Sequence, residues 1–198
     1  MDTASAGPGL RERKKARTRA LIQEHALRLF EEQGYARTTV EQIAEAAEVS
    51  PSTFFRYFPT KEDTVAHNTF TLAFLNALRA QSPGADLFET IRRAVHDAAE
   101  GFDELSWTQE RRRQQLVLAV PDLRGASVEQ LMLLASALRD EVAMRAGRDR
   151  DDFEVHTFTG AVLGVFAAVV AGAPHTTARN YADLVDHGLT HLRSGVPL

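Results

Sequence analysis

The residue types best suited to recognition chemistry lie in the stretch from Ser50 to Phe58. At 3.6 residues per turn, a helix over this stretch places Phe54 and Phe58 on one side and turns Ser52 and Arg56 to the opposite side. A helix that enters the DNA major groove needs small or polar residues where its backbone approaches the bases, and donors such as arginine nearby. The spacing therefore predicts a DNA-reading helix with two inward phenylalanines.

Contacts can be assigned to this helix and its flanks. We expect Arg56 to donate to guanine, and the Thr53 methyl group and the Phe55 ring to meet thymine methyl groups. Hydroxyl and ammonium groups at the flanks would hold phosphates. The candidate DNA contacts are Thr39, Ser52, Thr53, Phe55, Arg56, Tyr57 and Lys61. The alternative interpretation is a small helical hairpin with an aromatic core and a charged face.

The chain carries none of the residue patterns that mark common enzyme sites. We find no nucleophile elbow, no phosphate-binding glycine loop and no HExxH motif. The cysteine count of 0 excludes thiolate chemistry and disulfides, and it fits a reducing cytoplasm. His187 and His191 have the spacing of a two-ligand metal site, but no third ligand is identifiable. We expect no catalytic residue, no metal and no cofactor.

The elements that must position these residues are helices. Apolar residues recur with a helical period almost throughout the 198 residues, so we predict an all-α fold with nine helices. Ser50 reads as an N-cap followed by proline at the first helical position, and Gly34 reads as a left-handed helix stop. The predicted helices cover about 13–33, a short helix opening at 38 or 39, a helix from 50 to the proline at 59, then about 61–80, 86–102, 106–120, 127–146, 152–172 and 177–193.

Charge is distributed unevenly along the chain. The formal net charge is -4, yet residues 11–19 carry six basic side chains and one acidic one. A short basic segment on an acidic protein can meet phosphates, or it can be a solvated tail. The N-terminal residues lack the apolar core of a signal peptide, and the apolar run Ala161–Ala173 is too short to span a bilayer. We expect a cytoplasmic protein that does not associate with membranes, with this run in a buried helix.

Residues 38–63, TTVEQIAEAAEVSPSTFFRYFPTKED, closely resemble the signature of TetR-type (TetR/AcrR) transcriptional regulators. The resemblance implies a flexible tail over 1–12, a helix-turn-helix domain over 13–60 and a ligand-binding and dimerisation domain over 61–198. By position it assigns DNA contacts to the residues given above, except Arg56, and core positions to Val40, Ile43, Ala44, Val49, Phe54 and Phe58. Two departures are visible: many members have tyrosine at position 55, and small or polar residues are common where Pro51 stands.

The second half of the chain suggests a dimer face and a ligand chamber. The predicted eighth helix has small residues at four-residue spacing, and the ninth has one apolar stripe, which together suit a four-helix dimer interface. The dimer-face residues are Gly160, Gly164, Ala168, Gly172, Tyr181, Leu184, Val185, Gly188 and Leu192. An ordinary monomer core helix is the alternative.

Mixed apolar and polar faces on several helices could line the chamber. The candidate ligand contacts are His67, Phe70, Thr71, Phe74, Phe88, Arg92, His96, Trp107, Phe158 and Thr159. Ordinary core packing is the rival interpretation for each of them. A solvated face is favoured for Arg111–Arg113 over a phosphate-binding role. The C-terminal segment loosely resembles acyl-CoA-responsive TetR-type members, including mycofactocin-system regulators.

Together with these features, the resemblance to TetR-type regulators implies a ligand-responsive transcriptional regulator, and repression is the usual role in that family. We expect a repressor that binds a palindromic double-stranded DNA operator as a homodimer and is released by a small apolar or amphipathic effector. The predicted fourth helix joins the DNA-reading helices to the chamber, so a shift of it would couple the two sites. The alternative is a helical small-molecule carrier or a protein-interaction module that does not bind DNA.

Overall fold

The computed structural model describes residues 10–66, 68–172 and 176–197, and over these ranges the chain is helical with no strand. This confirms the predicted all-α class, with ten α-helices where nine were expected. The helices are α1 Leu10–Gln33, α2 Val40–Ala46, α3 Pro51–Tyr57, α4 Asp63–Ala66, α5 Thr69–Ala80, α6 Leu87–Glu100, α7 Glu104–Ala119, α8 Arg124–Ala146, α9 Phe153–Gly172 and α10 Ala178–Arg193.

The additional helix arises because the stretch predicted as one helix over 61–80 divides into α4 and α5. The side chain of Asn68 accepts a hydrogen bond from the Thr71 backbone N–H at 2.7 Å and thereby caps a new helix. An Asn N-cap satisfies an N–H group that would otherwise lack a partner, so it favours a fresh helix start over continuation. The first helix also differs from expectation, because α1 begins at Leu10 and includes residues that were assigned to the tail.

Local hydrogen bonds fix where α2 and α3 begin. Thr39 and Gln42 form a reciprocal capping box, and the Ser50 Oγ accepts from the Thr53 N–H at 3.1 Å. Between the two helices Glu48 adopts a left-handed conformation with φ of 53°, and the Val49 N–H bonds back to the Ala44 carbonyl at 2.9 Å. This is a Schellman-type helix end with glutamate where glycine is usual. It makes the tight turn between α2 and α3 that sequence inspection did not identify.

The helices form two compact units. The N-terminal unit contains α1 to α4 together with the later segment Leu116–Ala126, and the C-terminal unit contains Asn68–Gln115 and the chain from Ser127 onward. The division therefore differs from the expected boundary between residues 60 and 61. The difference arises because Leu116–Ala126, distant in sequence, contributes the buried side chain of Leu123 to the N-terminal core.

The core of the N-terminal unit is small and rich in aromatic rings. Phe54 and Phe58 are 0% exposed, with ring centroids 5.9 Å apart, as their shared side of α3 predicts. Phe30 from α1 packs against Tyr35 with ring centroids at 5.0 Å. The buried members of this core are Ile22, Ala26, Phe30, Tyr35, Ile43, Ala44, Ala47, Phe54, Phe58, Val65 and Leu123. These contacts hold α3 so that only one of its sides reaches solvent.

Helices α9 and α10 of the C-terminal unit approach each other closely at one glycine. A Cβ atom on Gly188 would lie 2.6 Å from Cγ1 of Val165, which is closer than such atoms can come. Gly188 was predicted to lie in a dimer face, but the structure uses it inside the monomer to let α10 pack on α9. Gly34 likewise has a specific conformation, with φ of 89° and ψ of 145°, which is not the left-handed helical stop that we expected.

We predict that Gly188→Ala lowers the free energy of unfolding by about 1–3 kcal/mol, because the new methyl group overpacks the contact with Val165. Chemical denaturation followed by circular dichroism measures the change. The double variant Gly188→Ala, Val165→Ala should recover part of the loss, since it moves volume from one side of the contact to the other. Equal stability of Gly188→Ala and the unaltered protein would show that the helices can separate there at no cost.

Candidate nucleic-acid interface and effector cavity

The outward side of α3 brings five of the predicted DNA contacts onto one short helix. Ser52 and Arg56 are exposed, and the Phe55 ring is 51% exposed. Thr53 and Tyr57 are half-buried at the flanks of this side. The helix thus presents a guanidinium group, small hydroxyl groups and an aromatic ring without an acidic residue among them. Such a surface can donate to base edges and contact thymine methyl groups.

Two arginines contact the C-terminal end of α3 differently. The Arg56 guanidinium lies 5.4 Å from the Tyr57 ring centroid and keeps its exposure. Arg19, on α1, lies 4.6 Å from the Phe58 ring centroid and donates from Nη1 to the Tyr57 carbonyl at 3.5 Å. Burial lowers the pKa of Arg19. Arg19 therefore links α1 to α3, a long-range contact for which the sequence offers no local signal.

The other two predicted DNA contacts lie on either side of α3 in the chain. Thr39 is exposed at the N-cap of α2, and its oxygen accepts from the Gln42 N–H at 3.3 Å. Lys61 is half-buried, and its Nζ donates to the carbonyls of Tyr35 and Thr38 at 3.0 and 3.2 Å. Nζ also lies 4.1 Å from the Tyr35 ring centroid. Lys61 thus holds the loop before α2 in place, a structural role in addition to the one predicted for it.

Tyr35 and Glu62 form a second link, which joins the turn after α1 to the residue that precedes α4. The Tyr35 hydroxyl donates to Glu62 Oε1, and the Tyr35 side chain is buried. Burial and this hydrogen bond raise the pKa of Tyr35, so the phenol stays protonated. Burial acts to raise the pKa of Glu62, but the hydrogen bond from Tyr35 and the charge of Lys61 contribute to a net lowering. The ionised form of Glu62 is therefore favoured in the folded protein.

Most of the predicted ligand contacts belong to the packed core of the C-terminal unit. Phe70 meets Phe102, Trp107 and Tyr181 with centroid distances of 5.7, 5.6 and 5.1 Å. Two further ring pairs, Phe74 with Phe166 and Phe88 with Phe158, have centroids 5.3 and 5.1 Å apart. Thr159 is buried and Thr71 half-buried, while Arg92 pairs with Asp186 and Glu89. His67 lies outside the described residues.

His96 and Trp107 do line a cavity, of about 830 Å³, in the C-terminal unit. Its wall comes from the end of α6, the start of α7 and the start of α10. The lining residues are His96, Ala99, Glu100, Phe102, Asp103, Glu104, Trp107, Thr108, Thr176, Thr177, Ala178, Arg179 and Asp183. The Trp107 indole N–H donates to the Thr176 carbonyl, which holds the ring in the wall. The volume is in the range of small-molecule sites, and its lining combines aromatic and charged side chains.

The predicted dimer-face residues divide between the surface and the core. Gly160, Gly164, Ala168 and Gly172 are exposed, and so is Leu184. Leu192 is half-buried, whereas Tyr181 and Val185 lie inside the core and cannot meet a partner. Their burial reflects the side of α10 that packs on α6. The remaining exposed residues form a continuous surface on α9 that we call the glycine stripe: Gly160, Gly164, Ala168 and Gly172.

Helix α9 exposes far more of its surface than expected for a buried helix. Only 17% of its most apolar 18-residue window is buried, and Phe153 at its start is 80% exposed. Added Cβ atoms at Gly160, Gly164 and Gly172 would meet no atom within 4 Å. By length and composition this 20-residue helix could also cross a membrane, in contrast to the shorter apolar run considered above. The same composition suits a helix that pairs in a subunit interface.

A short helix held by a capped turn, with inward aromatic rings and an outward basic and polar side, defines a helix-turn-helix DNA-binding protein. Residues 22–67 match the family model described as bacterial regulatory proteins of the tetR family, and residues 85–197 match the MftR C-terminal domain. The chain belongs to the TetR family of transcriptional regulators.

Two relatives cover most of the chain. The HTH-type transcriptional regulator TcmR of Streptomyces glaucescens is 37% identical over 175 residues, which span 83% of this chain and 76% of TcmR. A protein of Mycobacterium tuberculosis named as the mycofactocin biosynthesis transcriptional regulator MftR is 28% identical over 155 residues, spanning 77% of this chain and 78% of MftR.

Solved structures of the same family share the fold. A TetR-family regulator from Syntrophomonas wolfei superposes with a TM-score of 0.64 at 18% identity, covering 93% of this chain and 98% of its own. The TetR-family repressor FadR of Thermus thermophilus, in complex with lauroyl-CoA, gives a TM-score of 0.52 at 26% identity, covering 91% of this chain and 95% of its own. The predicted membership of the TetR family is confirmed.

We predict that Tyr35→Phe lowers the free energy of unfolding at pH 7 by about 1 kcal/mol, because it removes a hydrogen bond to a partly exposed carboxylate. The pKa of Glu62 is lower in the folded protein, so its contribution is complete above the unfolded pKa of about 4.3 and is lost as pH falls through the lower folded value. The stability difference between the two proteins should therefore shrink below about pH 4. Urea unfolding at a series of pH values measures it, and a difference that stays constant to pH 3 would contradict this account.

Proposed function

We propose that this TetR-family regulator is a cytoplasmic repressor that binds a palindromic DNA operator as a homodimer and is released by a small effector. The observation that carries the proposal is the outward side of α3, where Ser52, Phe55 and Arg56 are exposed while Phe54 and Phe58 are fully buried. A helix with one exposed and one buried side can lie in the major groove while its buried side chains stay in the protein core.

Sequence selectivity would come from Arg56 and its neighbours. Arginine pairs with guanine through two hydrogen bonds, and Phe55 offers an apolar surface to thymine methyl groups. With phenylalanine instead of tyrosine at position 55, this ring has no hydroxyl for a phosphate. The phosphate contacts proposed for the flanks come from Thr39, Tyr57 and Lys61, and these would fix the register of α3 in the groove.

The dimer interface that we propose runs along the glycine stripe of α9. Small residues with open space above them let a second helix backbone approach closely, and the apolar surface of α9 needs covering in water. Pairing with the same stripe of a second copy satisfies both conditions under two-fold symmetry. A dimer also supplies two copies of α3. Selectivity for an operator needs both copies, because one copy makes too few base contacts.

We propose the cavity beside Trp107 as the effector site. Its described lining includes the carboxylates of Glu100, Asp103, Glu104 and Asp183 and the guanidinium of Arg179. This excess of acidic groups disfavours ligands that would place phosphates inside the cavity. We therefore expect the apolar body of the effector to enter it, so a ligand such as the lauroyl-CoA bound by Thermus thermophilus FadR would have to keep its phosphates outside.

Helix α7 is the element that we propose to couple the effector to DNA. The same helix contributes Trp107 to the cavity wall and, at its C-terminal end, Leu116 and Val117 to the core of the N-terminal unit. A ligand that shifts α7 along its axis would act on the one helix that both sites share. The sequence had suggested the predicted helix over 61–80 for this role, but the structure divides that stretch at Asn68.

We predict that selection of bound duplexes from a random pool returns a palindrome, because a two-fold dimer reads two half-sites. Arg56→Ala should weaken binding to the selected site by about 1–3 kcal/mol and relax selectivity at a defined base. Arg28→Ala is the matched control, since Arg28 is an exposed arginine in the same unit. The contacts described for it are an ion pair with Glu32 and a contact with His25. Recovery of no duplex would contradict the proposal and leave the small-molecule carrier as the better account.

We predict that an apolar ligand changes the fluorescence of the single tryptophan, because Trp107 lies in the cavity wall. Titration with the neutral probe N-phenyl-1-naphthylamine should quench Trp107 saturably and lower the affinity for the selected duplex. Trp107→Phe provides the signal background, and Asn76→Ala, on the exposed side of α5, provides a control away from the cavity. Saturable binding that leaves the Trp107 emission unchanged would place the effector elsewhere.

A further inference from the structure

The N-terminal turns of α1 carry a row of exposed basic side chains beyond the core of their unit. Arg11, Lys14, Lys15 and Arg17 are all exposed, and they precede Ile22, the first fully buried residue among those of the helix whose burial is described. The segment from residue 11 to residue 19 carries a net charge of +5 in a chain whose net charge is -4. These residues all lie within α1, so their side chains project from a defined surface of the helix.

Helical periodicity shows which of these residues lie on the same side of α1 as its buried residues. Lys15 and Arg11 precede Ile22 by seven and eleven residues, which is close to two and three full turns at about 3.6 residues per turn. They therefore continue the side of α1 that buries Ile22 and Ala26 against the other helices of the unit. Arg17 precedes Ile22 by five residues and lies on the opposite half of the helix.

Arg19 marks where this side of α1 passes the end of α3. Its guanidinium packs on the Phe58 ring and donates to the Tyr57 carbonyl, so it contacts the last residue of α3 and the C-cap residue after it. Lys15 lies about one helical turn before Arg19, beyond its contact with the end of α3, and Arg11 lies about one turn before Lys15. The basic row thus continues outward from the end of the surface that we propose to read DNA.

We propose that Arg11 and Lys15 form a second DNA-contact surface, which binds the phosphate backbone beyond the end of α3 and lengthens the footprint of each protomer. The inference rests on the proposed DNA binding by α3. When α3 lies in a major groove, the group next to its end is the sugar-phosphate backbone that borders the groove. Exposed ammonium and guanidinium groups on the side facing that backbone complement its charge and displace its counterions.

Salt dependence of duplex binding tests this surface. Arg11→Gln and Lys15→Gln each remove one charge from the row, and Arg17→Gln removes one charge from the opposite side of the same turns. All three substitutions preserve helix propensity, and circular dichroism checks that each variant folds. For each phosphate that a variant no longer binds, we expect the slope of log affinity against log salt to become shallower by about 0.9. Arg17→Gln should keep the slope of the unaltered protein.

Hydroxyl-radical footprinting of the selected duplex gives a second readout. The unaltered protein should protect backbone positions outside the bases read by α3, and the double variant Arg11→Gln, Lys15→Gln should abolish that outer protection while keeping the inner one. Unchanged slope and footprint in the Arg11 and Lys15 variants, or an equal effect of Arg17→Gln, would overturn the inference while leaving DNA binding by α3 intact. An unaltered protein that binds no duplex would overturn both.

Discussion

The N-terminal unit depends on the burial of two phenylalanine rings, Phe54 on α3 and Phe58 at the C-cap of α3. Removing a buried phenylalanine side chain costs about 3–5 kcal/mol, which is comparable with the whole stability of many domains. This packing fixes the rotation of α3 about its axis, because a helix that buries both rings must turn Arg56 outward. The surface that we propose to read DNA is thus a consequence of how the core is filled.

The C-terminal unit uses its apolar residues for three purposes. Interlocked rings around Phe70 form a rigid core, Trp107 stands between that core and the cavity, and α9 leaves its small residues on the surface. Aromatic pairs with edge-to-face geometry hold each other in place more firmly than aliphatic contacts of similar area. Such contacts favour a preformed cavity wall beside Trp107, and a preformed site suits selective binding.

Sequence patterns predicted the features that depend on near neighbours in the chain. The cap at Ser50, the start of the short helix α2 at position 38 or 39, the inward rings and the helical class all follow from spacings of three or four residues, and the structure has them, with Thr39 as the cap of α2. The patterns did not reveal features that join distant segments, such as Arg19 on Phe58 or Leu123 in the N-terminal core. Apolar periodicity marks a buried side of a helix but not its partner, so Tyr181 and Val185 were assigned to a dimer face although they fill the core.

The placement of Leu116–Ala126 in the N-terminal unit has a consequence for protein engineering. A DNA-binding module cut from this chain after α4 would lack Leu123, and a hole would remain where that side chain is fully enclosed. Cavities of this kind are costly because surrounding atoms relax only in part. Transfer of the DNA-binding unit of this protein to another chain would therefore require two separate stretches of sequence, because a chimaera joined at a single point would lose the native contacts of Leu123.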